Sequence, residues 1–273
     1  MLDRDSPLLP GAAPPKPGAK RSFAEERLRE AVITCEIMPG TKVSEARLVS
    51  LYGLNRAGVR ASLMRLEAGG LVEAMPRHGW RVRPVSGAYI GEVVAARRTL
   101  EPAVATVRHD PAQLDRLDNL AQVAAVLAER QEPGARSSLR SYEREFLGIL
   151  AAPLGDLRRR WLHEAWDHSE RLIRFFEAGS DRRAGAPGRA PLVAALRAAD
   201  PAAVTAALGQ ALYSFEAFVL AALTEQDVEI RRTPPKTTPA TDTAAAGRGL
   251  APAPSPRNTN PRRGSLEWTG DKD

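Results

Sequence analysis

Asn55-Arg56-Ala57-Gly58-Val59-Arg60 is the segment whose residue types and spacing best suggest chemistry. Arg56 and Arg60 stand four positions apart, so on a helix they lie one above the other. Both can then point away from an apolar line through Val59, Leu63 and Leu66. Asn55 is a helix-capping type, and small Ala57 and Gly58 let backbone amides approach phosphates. A guanidinium carries parallel donors that match guanine O6 and N7 in the major groove, so the chemistry is base reading. Solvated surface arginines are the alternative; a place at the start of the second helix of a helix-turn-helix argues against it. Arg65, on another side, could hold a phosphate or face water.

The flanking elements fit that place. A first helix is expected from Ser22, a cap with Glu25 three positions on, through Leu28, Ala31, Val32 and Cys35, ending at Pro39-Gly40. Ser44 caps a second, short helix with Leu48, Leu51 and Tyr52 turned inward, broken by Gly53. The third starts at Asn55 and stops at Gly69-Gly70. Leu71 to Met75, the turn Pro76-Arg77-His78-Gly79 and Trp80 to Val85 then read as a two-stranded hairpin, a wing.

Composition agrees with such a frame. Only 5% of residues are aromatic while 43% are hydrophobic, so the interior is built from Ala, Leu and Val, as in packed helices. A formal charge of +6 suits a polyanionic partner or a basic tail. The single cysteine, Cys35, excludes an intrachain disulfide and a Cys-based zinc cluster, fits a reducing cytoplasm, and reads as a core residue. No uninterrupted apolar stretch approaches the ~18 residues of a membrane helix, and no signal-peptide core precedes the first helix, so a cytoplasmic protein without membrane contact is expected. Neither G-x-G-x-x-G, nor a P-loop, nor a Cys-His pair is found, which argues against an enzyme.

Beyond Pro84 the period is helical throughout, with helices expected near 111–131, 136–151, 154–177, 189–199 and 201–224, separated at Pro133-Gly134, Pro153 and the loop 179–188. The preceding helix, from about Gly87, puts Arg97 on a stripe with Ile90, Val93, Val94, Leu100, Glu101 and Val104. A charge there is either a buried ion pair with Glu101 or an anchor for an anionic effector. His163 and His168 flank the stripe of Leu162, Trp166, Leu172 and Phe176 and read as surface histidines; His109 belongs in a helix-helix turn.

Glu30 to Ile33, Pro39-Gly40, Ser44 to Leu48, Asn55 to Arg60, Leu63 to Glu67, Gly70 to Val72 and Arg77 to Gly79 together resemble the DNA-binding domain of the GntR family of regulators, and the helical remainder resembles the effector domain of its FadR subgroup. The likeness covers about residues 22–224. The family's recognition helix usually opens Ser-Arg-Thr-Pro-Val-Arg; here Asn55, Ala57 and Gly58 replace three of those residues and both arginines survive. The resemblance implies base contacts by Arg56 and Arg60 and minor-groove contact by His78-Gly79, and the DNA-binding set is completed by Ser44, Arg47, Asn55 and Arg65. Many relatives hold a divalent metal in the helical domain. The matching positions are Glu143, Leu147, Arg189 and Ala211, three of which cannot ligate, so neither metal nor cofactor is expected. An effector would rest on Arg97, with Arg189 and Tyr213 as further anchors, unless the cavity has collapsed on Leu and Ala side chains.

The expected fold class is mainly α, with an N-terminal winged helix-turn-helix carrying a small β-hairpin and a C-terminal antiparallel all-α bundle. Residues 1–20 form a disordered tail, 21–85 the DNA-binding domain, 86–228 the effector-binding and dimerisation domain, and 229–273 a second disordered tail with Arg231, Arg232, Lys236, Arg248, Arg257, Arg262 and Arg263. The expected partners are double-stranded DNA, a small-molecule effector and a second copy of the chain, with a weakly specific basic DNA-binding protein as the competing reading.

Overall fold

The structure, a computed structural model, describes residues 17–225 save 131, 181 and 187. Both expected tails therefore lie outside the described residues, apart from the last few positions of the first.

Helix α1 (Pro17–Ile33) starts five positions before Ser22, which lies inside the helix and does not cap it. Pro17 presets φ for a first turn, and Ala19, Lys20 and Arg21 are good helix formers, so the helix continues upstream. It ends before Cys35, which has φ 59° and is buried in the turn beyond. Ser44 caps α2 (Glu45–Tyr52), its Oγ accepting the Arg47 N–H at 3.2 Å. Leu48 is buried as expected, but Leu51 is 62% exposed, because a two-turn helix turns only one narrow face to the core. Asn55 caps α3 (Arg56–Ala68), its Oδ1 accepting the Gly58 N–H at 2.7 Å. Val59, Leu63 and Leu66 of α3 pack on Leu28, Ala31 and Val32 of α1 in a cluster drawn wholly from residues 23–82.

The wing has three strands, one more than expected. β2 (Val72–Met75) and β3 (Gly79–Val82) form the hairpin, and β1 (Lys42–Val43) pairs antiparallel with the other edge of β3, Val43 opposite Trp80. Gly79 has φ 82°, and a Cβ there would approach the Val43 carbonyl oxygen to 2.9 Å. The β1–β3 contact thus requires glycine at the wing tip.

The helical part opens with α4 (Gly87–Leu100), capped by Ser86 and continued by a 3-10 turn at Glu101–Thr106. α5 (Pro111–Ala128), α6 (Pro133–Ala151), α7 (Asp156–Ala178), α8 (Ala190–Arg197) and α9 (Pro201–Glu225) follow. Pro133 opens α6, where a first-turn N–H would find no helical carbonyl to donate to and its absence costs nothing, so it begins a helix instead of separating two. Two apolar clusters hold this bundle: one joins α5, α6, α8 and the first halves of α7 and α9, the other joins α4 and the second halves of α7 and α9.

Pro201–Thr224 is long and apolar enough to cross a membrane by length and composition, with mean hydropathy 1.5. Polar Thr205, Gln210, Ser214 and Glu216 interrupt the run, so it is not the uninterrupted apolar stretch that the sequence was expected to lack. Val204, Leu208, Leu212, Phe215, Val219 and Ala222 form its buried face.

Candidate nucleic-acid interface and effector cavity

At the front of α3, Arg56 and Arg60 are 81% and 71% exposed, on the side away from buried Val59 and Leu63. Glu45 of α2, half-buried, sits 3.6 Å from Arg56 Nε and 3.8 Å from Arg60 Nε. One carboxylate between two guanidinium groups limits where both side chains point, a link that motif reading did not find although Glu45 follows the cap Ser44 directly. Ser44, Arg47 and Asn55, close to these arginines in sequence, are exposed as well. A Cβ on Gly58 would lie 3.2 Å from the Ala24 Cβ and 3.2 Å from the Asn55 side chain, so Gly58 lets α3 start close against α1. Arg65 is ion-paired with Glu25 of α1. His78 is exposed at the wing tip, after Arg77 at φ 64°.

Behind this surface the bundle holds a cavity of about 610 Å³, within the range of small-molecule sites. Arg97 lines it and is buried; its Nε donates to Glu101 Oε1 at 2.7 Å. The same oxygen accepts Trp166 Nε1 at 2.9 Å. Of the two sequence alternatives the ion pair is present, and Arg97 also borders the cavity, with terminal nitrogens that have no hydrogen-bonded protein acceptor among the described residues. Arg189 also lines the cavity, donating through Nη2 to Glu143 Oε2 at 2.8 Å. Glu143 Oε1 is buried without a partner. Tyr213 is placed differently. It is 64% exposed on α9 and borders only a smaller hollow, because one residue's step from buried Leu212 rotates it about 100° around the helix.

Glu143, Leu147, Arg189 and Ala211 all border the one cavity, so the four positions matched to the family's metal site do converge. Their chemistry does not suit a divalent ion. Two are apolar, and the fixed positive charge of Arg189 already occupies the Glu143 carboxylate. Among the described residues no group of three or more His, Cys, Asp or Glu is arranged for a metal.

The histidine reading needs correction. His168 is half-buried, with Nε2 2.8 Å from the Gly69 carbonyl at the end of α3 and Nδ1 2.6 Å from Tyr89 Oη. Burial holds its pKa down, from 6.5 to about 4. Arg171, fully buried, donates Nη1 to Tyr89 Oη at 3.0 Å and Nη2 to the Arg83 carbonyl. Tyr89 and Arg171 were not singled out from sequence, and His168 was read as a surface residue; the only signal was a pair of long polar residues, His168 and Arg171, at i, i+3 on an amphipathic helix. His163 is half-buried against Trp166, ring centroids 5.6 Å apart. His109 sits in the turn before α5, where Nε2 meets the Leu150 carbonyl at 3.0 Å. Cys35 is a core residue, its thiol pushed up to about 11 by burial.

Residues 20–82 match the family model of bacterial regulatory proteins, gntR family. The chain is 31% identical over 124 residues to an uncharacterized HTH-type transcriptional regulator in an unstable DNA locus of Streptomyces ambofaciens, covering 45% of this chain and 48% of that one. It is 35% identical over 164 residues to the HTH-type transcriptional regulator Mce2R of Mycobacterium tuberculosis (strain CDC 1551 / Oshkosh), covering 56% and 64% respectively. The match thus spans between about half and just under two thirds of these curated relatives. Among solved structures, E. coli McbR/YncC has the same fold, with TM-score 0.63 at 19% identity over 74% of this chain and 97% of that one.

Proposed function

From the premise that the chain carries a gntR-family winged helix-turn-helix in residues 20–82, we propose that it is a transcription regulator that binds a short inverted repeat as a two-fold symmetric dimer. Residues 21–85 read the DNA, and 86–228 dimerise and hold a small molecule with an anionic group, without a metal. The protein acts in the cytoplasm, where its DNA target lies. The observation that carries this reading is the exposed pair Arg56 and Arg60 on the first turns of α3, aligned on one side and backed by a packed core. Symmetric half-sites on DNA call for two symmetric copies of the reading head.

The cavity supports the effector. At about 610 Å³ it is open, which favours a ligand-responsive protein over the reading in which the bundle has collapsed on Leu and Ala side chains. Arg97 and Arg189 supply guanidinium groups at its wall, and apolar Leu147, Leu208 and Phe218 supply the rest of an amphipathic lining. An effector that prefers one packing of the helices changes DNA affinity to the extent of that preference.

Selection of bound duplexes from a random pool, intact chain beside an Arg56→Ala, Arg60→Ala double variant, tests the reading. Enrichment of one inverted repeat that the variant loses is the expected result. Similar binding by both proteins with nothing enriched would replace it with weakly specific attraction through basic segments.

A further inference from the structure

Helix α7 serves two regions at once. Trp166, Ser169, Glu170 and Ile173 border the cavity. Interleaved with them in sequence, His168 and Arg171 reach backbone carbonyls of the winged helix-turn-helix: Gly69, at the last turn of α3, and Arg83, directly after β3. The polarity of this network is fixed by its chemistry. A guanidinium only donates, so Tyr89 Oη accepts from Arg171 Nη1 and gives its own proton to His168 Nδ1. The ring proton is then on Nε2, where it donates to the Gly69 carbonyl at 2.8 Å. That carbonyl is one that the helix end would otherwise leave unpaired.

Arg171 is the informative member. It is fully buried, has no carboxylate partner among the described residues, and leaves Nε unpaired. An isolated buried cation is costly, and an aliphatic side chain would fill the same space without that cost. Its distinctive contribution is the pair of directed bonds to Tyr89 and to the carbonyl that ends the wing. Carbonyl acceptors place the backbone itself, so these contacts orient α3 and the wing as bodies.

We propose that His168, Tyr89 and Arg171 are positioning residues that lock the reading head onto α7, so that a shift of α7 by a cavity occupant passes directly to α3 and the wing. The proposal rests on the regulator reading above. A movement of about 1–2 Å along α7 is enough to break bonds of this length.

The full-length chain, His168→Phe and Tyr89→Phe are each offered the inverted repeat with its half-sites moved apart or together by single base pairs. The wild type is expected to favour one spacing. Both variants keep the same half-site sequence and lose at least about three- to tenfold of the spacing preference, the worth of one of the two hydrogen bonds that each deletes. Amide exchange at residues 69–71, 83 and 85 speeds up in Tyr89→Phe, which retains the ring, while the α1–α3 core stays protected. A merely structural role predicts weaker binding at every spacing alike, or faster exchange throughout, and either result overturns the proposal. Variants that keep the wild type's single spacing overturn it while leaving the regulator reading in place. A wild type that selects no repeat overturns both.

Discussion

The carboxylate of Glu45 lies 3.6 Å from Arg56 Nε, and the same group reaches Arg60 at 3.8 Å. The acid on α2 therefore restrains Arg56 and Arg60 of α3 in the free protein and, on the proposed reading of DNA by these arginines, competes with phosphate for them. Glu45→Gln is expected to strengthen binding to a scrambled duplex about two- to fivefold, in line with the worth of exposed ion pairs, and to narrow the preference for the operator. Titrations of both duplexes check this; unchanged binding to the scrambled duplex would count against the restraint.

Arg189 and Glu143 form a charge pair in the cavity wall, Arg189 buried and Glu143 half-buried. Arg189→Met leaves Glu143 without its cation and is expected to cost about 3–5 kcal/mol of stability. Arg189→Met with Glu143→Met recovers most of the loss, since neither charge is then stranded. Chemical denaturation of the four proteins of this cycle measures the difference.

His168 faces Arg29 from α1, Arg83 after the wing, Arg171 from its own helix and the Tyr89 hydroxyl from α4, and burial with these charges holds its pKa near 4 instead of 6.5. The unfolded chain binds a proton at a higher pH than the folded one, so this contribution is complete above pH 6.5 and is lost as pH falls toward 4. Its size is at most about 3 kcal/mol. Asp167 acts with the opposite sign, burial raising its pKa above 3.8. Unfolding followed across that window should be visibly flatter in His168→Phe than in the wild type.

Cys35 has its thiol pushed up to about 11 by burial, and Sγ lies 3.6 Å from the Arg171 carbonyl. Thiolate is the reactive form, so a disulfide reagent at neutral pH should label the native protein far more slowly than the denatured chain. Equal rates would contradict the packing of α1 on α7.

The winged helix-turn-helix was legible from sequence because its determinants are local. Caps Ser44 and Asn55, the Gly69-Gly70 stop and the Val59, Leu63, Leu66 line all act within a few residues. Arg97 was legible for the same reason, its partner Glu101 being one turn away. β1 was not: two residues make a strand only because β3 passes beside them. His168 misled because its partner Gly69 is 99 residues distant, and no helical period records such a contact. Tyr213 lies outside the main cavity, exposed on α9 one position past buried Leu212.

The most direct test of base reading by α3 is the affinity of the full chain, and of the Arg56→Ala, Arg60→Ala variant, for the selected repeat and for the same duplex scrambled, at near-physiological salt. A wild-type preference of about 10³ or more that falls by 1–3 kcal/mol for each arginine lost, with scrambled-duplex binding weakened only slightly, is the predicted result. Equal preference in both proteins would contradict it.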